Sequence, residues 1–595
     1  MAVPPFAPRS LPIISSDGAH GADAPLGPQR VQLFCLPYQH LRLSSLSTAH
    51  LATFLRSRGY ECREAYAHFE LARLMGPRRY QEITDGSEGL TGELLFAEAL
   101  HGEIAASDAG EKLVRFFGAA DERREIMHRL ERYCLAELER ERPTLVGVST
   151  SFNQLSAALW LARLVKRHTS ARVVLGGSAC ADPMGLAVLA AYPDVDFVVS
   201  GYGEHPLLAL TRGEAIHRGV LSSSERVDLN QLPAPDYRSF LEQAGTFAND
   251  PRLMLTFESS RGCWWGQVNH CTFCGLNGVE MAFNQKTSER VVEEVRELWS
   301  LYGRNLFATD AILSREHLKS ALPKLAEFSE GPRLFYEVKA NMTQADVLTL
   351  RRAQVMGVQP GIESLNTRLL GLLKKGINTI RNLALLKWCR ERDIAITWNQ
   401  LCGIPGERPE DYEQQIALMS LIPQLPPPER ANRVRIDRYS PYFKSFRDFG
   451  WESIEPSREY RSLHPELGDE ALHDIAYHFW GVGGVSSASY FDRFEEAVQT
   501  WRDRNERGEG LFLDPEQGLL QNGADKAVRY PTAGLLGRVL DATHEVTAIS
   551  RVLAECGCDR AVLTELERHG IVYIEGESVL NLAVRTAPPE ELELR

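Results

Sequence analysis

The chain is 595 residues long, with 66 Lys and Arg against 79 Asp and Glu, a formal net charge of −13. Its 44% hydrophobic and 24% charged residues exclude a disordered chain, a collagen and a small disulfide scaffold, and leave material for about four domain-sized units, or fewer if one is a barrel. The acidic balance argues against a nucleic-acid partner, and no run nears the ~20 apolar residues that span a bilayer.

Residues 1–29 are rich in Pro, Ala and Gly and lack the continuous apolar core of a secretory signal, so they read as a disordered leader. With no export signal, the eleven cysteines, which lack the spacing of a disulfide framework, are expected as reduced thiols in the cytoplasm. From Arg30 onward apolar runs alternate with helical ones: RVQLFCLPY (30–38), an amphipathic helix ending at Gly59, TLVGVSTS (144–151), ARVVLGGS (171–178) and DVDFVVSGYGEHPL (194–207). Buried β runs that end in Gly or Ser and alternate with helices predict a doubly wound parallel sheet over residues 30–215. Its ligand would lie beyond the carboxyl ends of the strands, at Ser149-Thr150-Ser151, Gly176-Gly177-Ser178 and Gly201-Tyr202-Gly203-Glu204. Taken singly these are turns that need glycine; on consecutive strand ends they suit close approach of a large flat or phosphate-bearing ligand. Residues 60–140 read as a helical insertion packed on the sheet, and 216–250 as a linker.

The segment Glu258-Ser-Ser-Arg-Gly-Cys263-Trp-Trp-Gly-Gln-Val-Asn-His-Cys271-Thr-Phe-Cys274 follows the apolar run LMLTF (253–257), which places it in a loop at a strand's carboxyl end. Three thiolates this close can ligate metal. A structural zinc site is closed by four ligands, with His270 as the fourth here, whereas a cubane iron–sulfur cluster can be held by three cysteines with one iron left open. Five further strand–helix units follow: NLFATDAI (305–312), RLFYEVKAN (333–341), GVQPGIES (357–364), IAITWNQLCG (394–403) and RVRIDRYSP (433–441), with a capping box at Thr343 and Asp346. Six βα repeats over residues 251–455 predict a partial (β/α)6 barrel, whose site lies at the strands' carboxyl ends. Those ends carry Asp310, Lys339, Asn341, Glu363, Ser364, Asn399, Gln400, Asp437 and Tyr439. Each has a plain reading as a polar residue where a strand meets solvent.

A three-cysteine loop after the first strand of such a barrel resembles the radical S-adenosylmethionine (SAM) superfamily. The usual spacing there is C-x3-C-x2-C, and the first gap here is seven residues. The whole segment RGCWWGQVNHCTFCGLNG, with FYEVKAN, QPGIES and CGIPGE, is similar to one subgroup, the cobalamin-binding radical SAM proteins that mature ribosomally made peptides (RiPP maturation radical SAM protein 1). The resemblance covers roughly residues 30–455 and implies the chemistry. Cys263, Cys271 and Cys274 would hold a [4Fe–4S] cluster whose fourth iron chelates SAM. An external electron donor would drive cleavage of SAM to a deoxyadenosyl radical, and methylcobalamin would donate a methyl group to an unactivated carbon of a precursor peptide. Phe273 and Gly275 would lie against SAM, with Glu363, Ser364 and Asn399 at its ribose or methionyl end. The corrin would run across Ser149, Thr150, Gly176, Gly177, Ser178, Gly203 and Glu204. Asp310, Lys339, Asp437 and Tyr439 remain candidates for a catalytic role. The Asp-x-His-x-x-Gly pattern that supplies a lower cobalt ligand in some cobalamin proteins is missing, so no histidine ligand of that kind is expected, with His40 the nearest in sequence.

Residues 456–595 form the remaining region. The aromatics Tyr460, Tyr477, Phe479, Trp480, Tyr490 and Phe491 read as helical packing against the barrel. From Tyr530, three helices and a hairpin over IVYIEGESVLNLAV (571–584) predict a winged-helix-like module. Few basic residues on its third helix argue against DNA; the module reads as a structural cap, or as a strand edge that pairs a leader peptide. Cys556 and Cys558 read as thiols without metal.

Overall fold

The computed structural model describes residues 13–15, 27–86, 89–104, 108–214, 217–222, 226–276, 281–328, 330–483, 488–514 and 516–586. The first unit is a seven-stranded sheet of β1 (Ile13–Ser15), β2 (Val31–Cys35), β3 (Cys62–Tyr66), β4 (Leu145–Ser149), β5 (Arg172–Gly176), β6 (Phe197–Val199) and β7 (Gly219–Ser222). Its spatial order is β1-β7-β6-β5-β4-β2-β3, and every pair is parallel. Parallel strands buried on both faces explain the near-continuous apolar runs such as VQLFC and LVGVS. One face packs Val31, Leu33, Val174 and Val199 against the helices Leu46–Ser57 and Glu204–Arg212. The other packs Phe34, Val146, Val148 and Leu175 against the helices Ala67–Met75, Ala120–Glu141 and Leu155–His168.

Three readings change. Most of the leader over 1–29 lies outside the described residues, but Ile13–Ser15 pairs in register with Val220–Ser222 as the sheet's edge. The segment read as a linker begins inside the sheet, because GVLS supplies β7. The helical insertion opens with β3, whose sequence CREAY alternates too little to announce a strand.

The second unit is a five-stranded parallel sheet of β8 (Leu255–Phe257), β9 (Leu306–Ala308), β10 (Leu334–Val338), β11 (Val355–Pro360) and β12 (Ala395–Ile396), arranged in sequence order. It continues through a Glu363–Gln400 bridge to β13 (Gln400–Cys402), which pairs parallel with β14 (Ala431–Arg433). Among the described residues no pairing closes this row of parallel strands, which is an open, partial barrel. The capping box of Thr343 and Asp346 starts the helix Gln344–Arg352, and a bridge from Leu43 to Met254 joins the two units.

The C-terminal region is less helical than its aromatics suggest. Phe479 and Trp480 lie in a strand and Tyr477 just before it, since His478–Val482 pairs antiparallel with Ile436–Asp437 and Ser453–Pro456. Gly510–Asp514, Gly518–Asn522 and Ala527–Tyr530 form a three-stranded antiparallel meander. Beyond it the order is helix Leu535–Ala542, strand Thr547–Ala548, helices Ile549–Cys556 and Arg560–Arg568, and the hairpin Val572–Glu575 with Ser578–Asn581, a winged-helix topology. This module is docked on the second unit. Lys387 Nζ lies 2.7 Å from His544 Nδ1 and 3.3 Å from Glu391, all buried. Glu575 accepts the Ile380 N–H at 3.0 Å, closing the N-terminus of the helix Thr379–Glu391. Among the described residues no helix is long and apolar enough to cross a membrane.

Candidate active site

The cysteine loop leaves β8 through Ser259 and Ser260, and a buried carboxylate sets its path. Asp310 accepts the backbone N–H groups of Ser259 (2.7 Å) and Ser260 (3.1 Å) together with both hydroxyls. Asp310 thus stands behind the loop, with its acceptors in use. Cys263 caps the short helix Trp264–Val268, its Sγ accepting the Gly266 N–H at 3.3 Å. That helix is what the seven-residue gap builds. Trp264 donates its indole N–H to the Leu313 carbonyl at 3.1 Å, and the Lys339 ammonium lies 3.5 Å from the Trp265 ring.

The three cysteines are partly buried, and burial pushes the Cys274 thiol up to about 12, with the neighbouring Cys271 and Cys263 adding to it. Lys375 and Lys339 stand near enough to favour thiolates: Lys375 lowers the thiols of Cys263 and Cys274, and Lys339 is pushed down to about 8 by burial and by Lys375 while the cysteines pull it back. His270 Nε2 is 2.8 Å from the Cys274 carbonyl and serves the loop's own backbone. Among the described residues no three His, Cys, Asp or Glu side chains are gathered as ligands of one ion. In a cubane each thiolate meets its own iron, so three thiols in mutual electrostatic reach, without a fourth donor, fit a cluster better than a closed zinc site.

The face of the second sheet that bears Phe307 carries the other groups. Phe307 and Phe335 stack with ring centroids 4.5 Å apart. Two residues further along β10 from Phe335, on the same face, comes Glu337, which the sequence reading passed over inside FYEVKAN. Among the described residues its carboxylate has no hydrogen-bond or ion-pair partner, and burial, Asp310 and Glu363 push it up to about 7. Glu363 sits at φ +62° and pairs with Lys375 at 3.3 Å, and Lys375 in turn lies 5.5 Å from the Phe273 ring. Asn399 Oδ1 is buried without a partner, an acceptor open to a ligand. Ser364 is fully buried and bonded to Gln415 at 2.9 Å, away from this face. Asp437 pairs with Arg435 (3.0 Å) and His478 (2.9 Å), and Tyr439 donates its hydroxyl to the Asp182 carbonyl at 2.8 Å.

A cavity of about 510 Å³ lies between the two sheets. The first sheet supplies Ser149, Gly176, Gly177, Gly203 and Glu204, and the second supplies Thr256, Glu258, Arg261, Phe307 and Thr309. It sits beside the junction of β2 and β4, where the strand order reverses, the place such folds bind ligands. Gly177, at φ +98°, is held to glycine by the Thr150 backbone. Gly176 and Gly203 are not: an added Cβ would meet nothing closer than 3.6 Å and 3.4 Å. Their bareness therefore serves the cavity and not the chain's own packing. Thr150 is buried against the Gly176 carbonyl (3.0 Å), and neither it nor Ser178 lines the space. His40 turns to Asp85 at 3.7 Å, whereas His50 lines the cavity with its Nε2 3.1 Å from Glu204.

Glu204 meets more than the cavity. The Arg261 guanidinium lies 2.6 Å from Glu204 and 2.6 Å from Glu258, under the Tyr202 ring at 4.6 Å. Burial alone would raise Glu204, but Arg261 and His50 hold it well below the usual carboxylate range. A single cation thus joins the first sheet's ligand edge to the loop that carries Cys263.

Residues 257–419 match the model of the Radical SAM superfamily, and the chain carries a radical SAM domain there, the kind that works with a [4Fe–4S] cluster and SAM. Among curated proteins it is 24% identical over 278 residues to a tRNA-2-methylthio-N(6)-dimethylallyladenosine synthase of Bartonella bacilliformis, a match covering 43% of this chain and 58% of that one. Among solved structures it is similar to the cobalamin-dependent SAM radical enzyme OxsB with aqua-cobalamin and SAM bound (TM-score 0.51, 12% identity, 91% of this chain and 71% of that one). It is also similar to the radical SAM methyltransferase TsrM from Kitasatospora setae with cobalamin and [4Fe–4S] cluster bound (TM-score 0.51, 16% identity, 80% and 89%). These likenesses extend the shared fold across both sheets.

Two outcomes follow. Arg261→Met leaves Glu204 and Glu258 buried without their cation and costs about 3–5 kcal/mol of stability, of which Glu204→Gln in the same chain recovers part; denaturant unfolding reads both, and an unchanged midpoint would contradict the bridge. Glu337 has a folded pKa above its ordinary 4.5, so its contribution is full below that value and is lost as pH rises through about 7. Glu337→Gln cannot ionise, so its stability relative to the unmodified chain improves between about pH 5 and pH 8, by about 3 kcal/mol at most. A difference independent of pH would show that Glu337 is not buried as described.

Proposed function

We propose that the chain is a cobalamin-dependent radical SAM methyltransferase that C-methylates an unactivated carbon of a ribosomally made precursor peptide, drawing its electron from an external donor. The observation that carries the corrin is the cavity between the sheets, where Gly176 and Gly203 stay bare although nothing in the chain requires it. Both similar solved structures are of proteins with cobalamin bound. When bound, the cofactors supply one-electron cleavage of SAM and a transferable methyl group.

The chain's own residues do the rest. Cys263, Cys271 and Cys274 would hold three irons, and Lys339 and Lys375 offset the negative charge that results. Asn399 Oδ1 and the Glu363 carboxylate are placed to accept from the hydroxyls or ammonium of SAM. Phe307 and Phe335 wall the space between the SAM side and the cavity and keep it dry. The winged-helix module is fixed to the second unit by Lys387, His544 and Glu575, a rigid place for a peptide's leader to pair along a strand edge.

The test is turnover with methyl-deuterated SAM and the precursor peptide, followed by mass spectrometry. Label in the peptide at carbon supports methyl transfer. A modified peptide without label replaces it by a radical crosslink or rearrangement in the same site. Deoxyadenosine without any change in the peptide contradicts the substrate. Cys271→Ala should lose deoxyadenosine formation altogether.

A further inference from the structure

Tyr477 lies in the C-terminal region, outside both sheets that build the site, yet its side chain reaches the cysteine loop. It is 3% exposed, and its ring stacks on Phe152 of the first unit with centroids 3.6 Å apart. Its backbone is fixed on both sides: the N–H donates to the Tyr460 hydroxyl at 3.1 Å, and the carbonyl accepts the Arg438 N–H at 2.8 Å. The hydroxyl itself is buried and has no partner. It points over Gly275, the residue after Cys274, where an added Cβ would stand 2.7 Å from Tyr477 Oη. The backbone of Arg438 crowds the same glycine. A buried phenol without a partner is unfavourable unless something absent from the protein chain satisfies it. What belongs beside Cys274, on the reading above, is an iron–sulfur cluster.

We propose that Tyr477 is a positioning residue that donates its hydroxyl hydrogen bond to the sulfur of the cluster at the Cys274 corner, so that the C-terminal region sets the cluster's reduction potential. The inference rests on the three cysteines holding a cluster. Hydrogen bonds to cluster sulfurs stabilise the reduced, more negative state and raise the potential. The ring's stack on Phe152 ties the same group to the loop after β4, whose strand end lines the ligand cavity.

The test is the potential of the reconstituted full chain, measured anaerobically without SAM, in the unmodified protein and in Tyr477→Phe. The phenylalanine keeps the stack and removes only the hydroxyl. Iron and sulfide content should be unchanged, and the potential should move to a more negative value. Phe152→Leu, which disturbs the stack and leaves the hydroxyl, should move it less. An unchanged potential in Tyr477→Phe overturns the proposal, as does a shift that emerges only after SAM is added, which would give the hydroxyl to SAM. Loss of iron in Tyr477→Phe also overturns it, because the residue would then hold the loop and not tune the cluster. An unmodified chain that takes up no cluster overturns both this inference and the reading on which it rests.

Discussion

The guanidinium of Arg261 is the contact on which the geometry of this molecule turns. It lies between Glu204, at the ligand edge of the first sheet, and Glu258, at the exit of the second, and both carboxylates are buried while the guanidinium is partly so. Two carboxylates this close in a dry interior cannot both stay ionised without a cation between them. Arg suits the position because its planar fork offers several donors at fixed angles to separate acceptors. Two residues later in the chain comes Cys263. Arg261 thus ties the first sheet's cavity to the cysteine loop beside the Leu43–Met254 bridge, with His50 and the Tyr202 ring holding the arrangement from the first-unit side.

From this contact the rest of the site can be laid out. Asp310 fixes the start of the cysteine loop by gathering four donors from Ser259 and Ser260. The seven residues between Cys263 and Cys271 do not loosen the loop. Five of them fold into a short helix whose tryptophans meet Leu313 and Lys339, so the insertion anchors the cysteines to the segments that follow strands β9 and β10. Lys375 closes the other side, joining Glu363 and the Phe273 ring. The thiols thus lie near Lys339 and Lys375, the second sheet bears the Phe307–Phe335 stack, and Phe307 and Thr309 line the cavity.

Much of this was legible in the residues themselves. Alternating apolar runs announced a doubly wound parallel sheet and then a run of βα repeats, the apolar run LMLTF put the cysteine loop at a strand's end, and glycines at the end of β5 and after β6 line the cavity. The capping box at Thr343 stands where its pattern placed it. What stayed hidden was long-range. Glu204 looked like a ligand contact because its partner is 57 positions away, and nothing local links it to Arg261. Glu337 looked like an ordinary strand residue in FYEVKAN until its face was known. Tyr477 counted as one aromatic among many, because its neighbour Phe152 lies in another unit. Short strands such as GVLS and CREAY escaped for a different reason: four or five residues hold too little periodicity to separate a strand from a loop. Ser364 shows the reverse error, a polar residue at a strand's end that turns into the core to bond Gln415.

The central claim is that one chain holds an iron–sulfur cluster and a corrin on either side of Arg261. Its most direct measurement is the iron, sulfide and corrin content of anaerobically reconstituted protein, with deoxyadenosine release followed after SAM and a reductant are added. The account predicts about four irons with matching sulfide and one corrin per chain, with SAM cleaved. Iron and sulfide without corrin would remove the methyl-transfer chemistry, and zinc without iron, sulfide or SAM cleavage would contradict the account as a whole.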